Sequence, residues 1–243
     1  MARSARLWLM ALGVIAVLAA GAFALLAPRA KAPAERAELG LFTSLPILWN
    51  EAPDIAAQLA SPGPPHWARG VLEARYRIAA LDALAPPATL RLLVIAQPRP
   101  LSPEENVALD TWVRGGGRVL LLADPLLTWE SRFALGDKRR PQDAVLLSPI
   151  LARWGLELRF NEDQAEGEHD LVGLPVNLPG ALAARPGGFE SRCVIEGSGL
   201  VADCAIGKGH ATIVADAALL EPGDAEADHA QAFEVLLERA FPG

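Results

Sequence analysis

No Gly-x-Ser-x-Gly or Gly-x-Cys-x-Gly stretch occurs in the chain, and neither does a Gly-x4-Gly-Lys-Ser/Thr loop. The first absence removes the strand-to-helix elbow on which an α/β hydrolase or amidotransferase carries its nucleophile. The second removes the phosphate cradle of a P-loop enzyme; Gly207-Lys208-Gly209-His210 reads instead as a turn entering a strand. Lysine is scarce, with three residues against a majority of arginines. The histidines His66, His169, His210 and His229 match no zinc-ligand spacing, and the two cysteines carry no metal pattern. The stretch holding Glu166, Glu168, His169 and Asp170 is irregular and reads as a solvated acidic loop. Positive charge is also in deficit. From Leu39 onward there are 17 basic and 27 acidic side chains, a net charge of −10. Phosphate backbones repel such a domain, so nucleic acid is not an expected partner. No cofactor and no metal ion is expected.

Charge is missing altogether from Leu7 to Ala27, a run of 21 residues. As a helix rising about 1.5 Å per residue it matches a hydrocarbon core of about 30 Å. It exceeds the apolar run of about 7–15 residues usual in a signal peptide, although Ala30-Lys31-Ala32 keeps a cleavage site open as the alternative. The reading divides the chain into a short tail (residues 1–6), a transmembrane signal-anchor (7–27), a linker (28–38) and one α/β domain (39–243). Arg3 and Arg6 precede the apolar run, and Arg29, Lys31 and Arg36 follow it, so the positive-inside rule does not decide orientation. The short tail favours a single pass through the inner (cytoplasmic) membrane. The domain then faces the periplasm or cell exterior.

Within the domain, apolar runs alternate with helical patterns. Leu39 to Leu48 and Tyr76 to Leu81 are candidate strands, with a helical turn over Trp67 to Ala74 and a short helix over Pro53 to Leu59. Leu90 to Ala96 and Val119 to Ala123 are near-continuous apolar runs, as expected of strands covered on both faces. Between them Ser102, Pro103 and Glu105 form a capping box, and Gly115-Gly116-Gly117 ends the helix. A strand, helix and strand joined by short loops imply a right-handed crossover and a parallel pair. Thr128 to Asp143 reads as a surface loop, Ser148 to Gly155 as a helix and Leu156 to Phe160 as a strand. Arg192 to Ile195 and Leu200 to Ile206 form a hairpin about Gly197-Ser198-Gly199, followed by a strand over Ala211 to Ala215. Ala225 to Ala240 closes the chain as an amphipathic helix. The expected fold is a doubly wound, mainly parallel sheet with an antiparallel edge hairpin.

Two features of this pattern bear on chemistry. A two-residue turn at Ser198-Gly199 pairs residues whose numbers sum to 397, and Cys193 and Cys204 satisfy that sum. An oxidising compartment would allow a disulfide between them; two buried thiols are the alternative. Thr43, Ser44, Asp82, Gln97, Asp124 and Asp216 fall at the expected carboxyl ends of strands. Open α/β sheets bind ligands outside those ends, at a topological switch point. These six residues are therefore the candidate crevice for a ligand or partner, with ordinary capping and turn chemistry as the alternative.

Three stretches carry a resemblance: Leu92 to Leu127, Leu146 to Asp163 and Gly207 to Glu221. In that order they resemble the extracytoplasmic domain of the gliding-motility-type ABC-transporter auxiliary family, an uncharacterised ABC-type transport system domain. The resemblance implies a flavodoxin-like sheet, similar to class I glutamine amidotransferases without the catalytic cysteine, and no enzymatic activity. It also implies a transporter permease or another membrane protein as partner. The expectation is a membrane-anchored, non-enzymatic accessory or binding domain of an ABC-type transport system. An unusual amidotransferase-like hydrolase and a protein-only assembly module are the alternatives.

Overall fold

The structure is a computed structural model that describes residues 36–52, 56, 64–223 and 225–242. The apolar run over residues 7–27 and most of the helix expected over Pro53 to Leu59 lie outside the described residues. Among the described residues no helix is long and apolar enough to cross a membrane.

Five parallel strands form the centre: β1 (Glu38–Thr43), β2 (Arg77–Ala80), β3 (Leu92–Ala96), β4 (Arg118–Leu122) and β11 (Gly209–Val214). Two antiparallel strands extend the sheet, β10 (Val201–Ile206) and then β9 (Ser191–Glu196). The full order is β2-β1-β3-β4-β11-β10-β9. The chain leaves β1 in one direction towards β2, and proceeds from β3 in the other. The switch point therefore lies between β1 and β3.

Side chains alternate across a strand, so each central strand feeds two cores. On one face Leu39, Leu41, Val94, Leu120 and Val214 meet α1 (Trp67–Arg75) and α4 (Glu226–Ala240), through Leu72, Phe233, Leu236 and Leu237. On the other face Leu93, Ile95, Val119, Leu121 and Ile213 meet α2 (Pro103–Arg114) and α3 (Ser148–Arg153), through Leu109, Val113, Ile150 and Leu151. The result is three layers, with helices on both sides of a mainly parallel sheet. The capping box of α2 is complete. Ser102 Oγ accepts from Glu105 N at 3.2 Å, and Ser102 N donates to Glu105 Oε2 at 2.9 Å. Two orphan N–H groups at the helix start are thereby paired. Gly116, at φ +111°, takes the conformation that releases the chain from α2 towards β4.

Three expectations change. Leu156 to Phe160 does not join the central sheet: among the described residues β5 (Leu156–Arg159) pairs with β8 (Ala181–Ala184) alone, in an antiparallel ribbon. A second ribbon joins β6 (His169–Leu171) to β7 (Leu174–Val176), inside what reads as loop. The stretch over Thr128 to Asp143 is loop but not simply surface. Leu127, Trp129, Phe133 and Val145 of the β4–α3 connection are buried against the carboxyl edge of the sheet.

Candidate functional site

At the switch point the chain fills its own crevice. Ser44 Oγ donates to the Gln97 carbonyl oxygen and accepts from Gln142 N at 3.0 Å. Gln97 is fully buried and sits at φ +41°, a left-handed conformation uncommon outside glycine. Its Nε2 donates to the carbonyls of Asp124 (3.1 Å) and Gln142 (2.8 Å), while its Oε1 accepts from Asp124 N at 2.9 Å. One amide therefore ties the ends of β3 and β4 to the loop from β4, using both of its N–H donors and one of its acceptor positions. Thr43 Oγ1 accepts from Leu45 N at 2.9 Å, a local turn.

Asp124 and Asp216 stand at the ends of the adjacent strands β4 and β11, both fully buried. Asp124 accepts from Leu126 N (2.8 Å) and Ala217 N (3.2 Å). Asp216 accepts from Ala218 N and from Asn177 N at 3.1 Å. Burial pushes the Asp124 carboxyl up to about 7, with the nearby Glu221 adding to it. Burial and the neighbouring Asp124 raise Asp216 well above the ordinary carboxylate range. Two like groups this close disfavour double ionisation, so the pair retains a proton near neutral pH. The structure thus gathers Ser44, Gln97 and Asp124 into one bonded cluster and sets Asp216 beside Asp124. Asp82 lies exposed beyond β2, apart from that cluster, where its carbonyl accepts from Arg99 at 2.9 Å.

Open space lies next to this filled region. A groove of about 470 Å³ runs along the same edge of the sheet. Its lining comes from the loop after β1 (Pro46, Trp49, Glu51), the start of α1 (His66, Trp67), the loop after β4 (Trp129, Glu130, Arg132) and the passage from β11 into α4 (Pro222, Glu226). His66 and Trp129 stack, with ring centres 6.0 Å apart, and His66 lies 5.4 Å from Trp67. His66 Nδ1 accepts from Ala68 N at 3.2 Å, so the proton is on Nε2, which faces the Leu220 carbonyl at 2.9 Å. Burial holds this imidazole below its ordinary value, against opposing pulls from Leu220 and Glu226. His66 is therefore an uncharged aromatic wall near neutral pH. Sequence reasoning missed this group. The available signal was that three of the six tryptophans, Trp49, Trp67 and Trp129, fall in proline-containing segments.

A second cavity, about 390 Å³, lies between the β6–β7 ribbon and α4. Its Glu168 meets the buried His229 at 2.9 Å, while His169 turns back to the Gly167 carbonyl at 3.1 Å. Among the described residues no three His, Cys, Asp or Glu side chains converge for a metal ion. On the far side of the sheet Cys204 of β10 pairs with Cys193 of β9, and the two form a disulfide.

The family described as an ABC-type uncharacterized transport system matches residues 39–169. No curated protein matches the sequence. Among solved structures the chain is similar to the mmIFT52 N-terminal domain, at 11% identity and TM-score 0.50, over 84% of this chain and 97% of that one. It is also similar to an exo-β-1,4-mannosidase from an Opitutaceae bacterium, at 14% identity and TM-score 0.45, over 84% of this chain and 34% of that one. A β-galactosidase from a Rahnella species matches at 14% identity and TM-score 0.46, over 84% and 31%. The chain thus spans about a third of the length of these glycosidases. At such identities the likeness to the mmIFT52 domain speaks for the fold alone.

Proposed function

The chain belongs to the ABC-type uncharacterized transport system family, by the match over residues 39–169, and from that premise we propose that it is a non-enzymatic binding domain, tethered to the membrane by residues 7–27 and facing the periplasm. The observation that carries the non-enzymatic reading is the end of β4. A hydrolase of this sheet type presents a nucleophile on a strand-to-helix elbow. Here Asp124 stands after β4, fully buried, with each carboxylate oxygen occupied by a backbone N–H. A group held in this way anchors two loops and is withheld from substrate. The order of the parallel strands supports the flavodoxin-like reading of the sheet. The Cys193–Cys204 bridge supports the placement, because such bonds persist in oxidising compartments.

Reporter fusions after Gly243 test the placement. A periplasmic reporter should be active and a cytoplasmic one silent; the reverse result overturns it. The accessory role is tested by reconstituting the transporter's ATPase and permease with and without the full chain. The chain should alter the rate of ATP hydrolysis, and identical rates would sink the reading.

A further inference from the structure

We infer that the groove formed by Trp49, His66, Trp67 and Trp129 is a binding site for a small organic cation of the alkylammonium class. This deepens the binding role proposed above and rests on it. The inference stands on three observations. First, the site has the right form. Its volume of about 470 Å³ is that of a small-molecule site, and it lies at the carboxyl edge of the sheet, with Pro46, Pro64, Pro65 and Pro222 in its lining. Second, four aromatic rings, Trp49, His66, Trp67 and Trp129, line it, and such rings attract cations through their quadrupole. His66 does not oppose this, because both ring nitrogens are engaged and the ring is neutral. Third, the charge is complementary. Glu51, Glu130 and Glu226 line the groove against the single guanidinium of Arg132.

Other ligand classes fit less well. A metal ion needs converging donors, and no such group occurs among the described residues. A sugar needs many polar groups to read its hydroxyls. Glu51 already accepts from Ser131 Oγ (2.9 Å) and Arg132 N (2.8 Å), and His66 has no nitrogen to spare. Beside Asn50 and Arg132, what the groove offers is aromatic surface and an excess of negative charge.

The test uses full-length protein in detergent, titrated with choline at constant ionic strength while tryptophan emission is followed. The expected result is a saturable change that sodium and glucose do not reproduce. Trp49→Ala and Glu130→Gln should each weaken choline binding by roughly threefold or more. Glu130 is exposed, so its variant keeps the test valid if Trp49→Ala fails to fold. No saturable choline signal, saturation by glucose in its place, binding of a lysine-rich peptide without choline binding, or unchanged affinity in Glu130→Gln would each overturn the assignment. The reporter fusions and the ATPase measurement fail independently of this titration.

Discussion

Two stretches of one sheet edge are built in opposite ways. Between β1, β3 and β4 the edge is closed: polar side chains are buried, each satisfied by the chain itself. Around Trp49 and Trp129 it is open, and aromatic rings stand beside carboxylates. The helix-bearing sheet is the same in both places, and the difference comes from the loops. The β4–α3 connection first supplies Trp129 and Glu130 to the groove and then bends back over the switch point through Gln142. A single loop therefore shuts one site and lines another. The position of a site along such an edge is set by what the loops leave uncovered, and not by strand order alone.

If this contrast is right, the largest effect should come from breaking the closed side. Gln97→Ala removes three hydrogen bonds and leaves the Asp124 N–H buried without its partner. At about 1 kcal/mol for each bond, plus the penalty for the orphaned donor, the loss should be about 4 kcal/mol. Urea unfolding measures it; a loss below about 1 kcal/mol would mean that water enters this edge freely.

Next in size is a pH effect centred on Asp124. Its folded value of about 7 is raised above the ordinary value of 3.8, so the folded state holds a proton that the unfolded chain gives up earlier. The associated stability is fully present below about pH 4 and is lost as pH rises towards about 7. Thermal melts should show a decline on the order of 2–4 kcal/mol across that window. Asp124→Asn should flatten this decline, and an unchanged slope in the variant would assign the proton elsewhere.

A smaller effect belongs to the bridge. It closes a loop with a sequence separation of 11, so reduction or paired Cys193→Ser and Cys204→Ser changes should remove about 2–3 kcal/mol. Intact mass after alkylation, with and without reductant, reports whether the bond forms. The smallest effect lies on the open side. Glu130→Gln should leave stability within about 0.5 kcal/mol, since exposed positions away from packed groups tolerate change. A large loss of stability there would turn the groove into part of the core and erase the contrast.

How much of this was legible in the sequence depends on how local each signal is. The apolar runs that become β3 and β4, and the Ser102–Glu105 cap between them, are written within a few residues of themselves. The β9–β10 register is nearly as local, because a short loop allows few pairings; four residues, Gly197 to Leu200, link the paired Glu196 and Val201, and the first three of them have positive φ where the sequence reading placed a two-residue turn. The partnership of β5 with β8 is different. Those strands are four residues each and more than twenty residues apart, and their partner is chosen by packing rather than by pattern. The groove was least legible. Trp49 and Trp129 sit in aperiodic segments and Trp67 at the first position of α1, and only the fold brings them together. Ser44, Gln97 and Asp124 were read as part of a six-residue group with Thr43, Asp82 and Asp216, but no local feature marks Gln142 as the residue that covers them.

The bridge has a consequence for how the protein meets its own copies. β9 is the outermost strand of the central sheet, and one side of its backbone has no ladder partner within that sheet. Such a rim is a template on which another extended chain can add itself. Val194, 58% exposed, would help that addition, while the exposed Arg192 and Glu196 would hinder it. The covalent link to β10 prevents this strand from peeling away and exchanging with a neighbour. Resistance to clumping is then acquired in two stages. Before oxidation the strand is held by its ladder to β10 and guarded by the charged rim, and the bond adds a covalent tie to both.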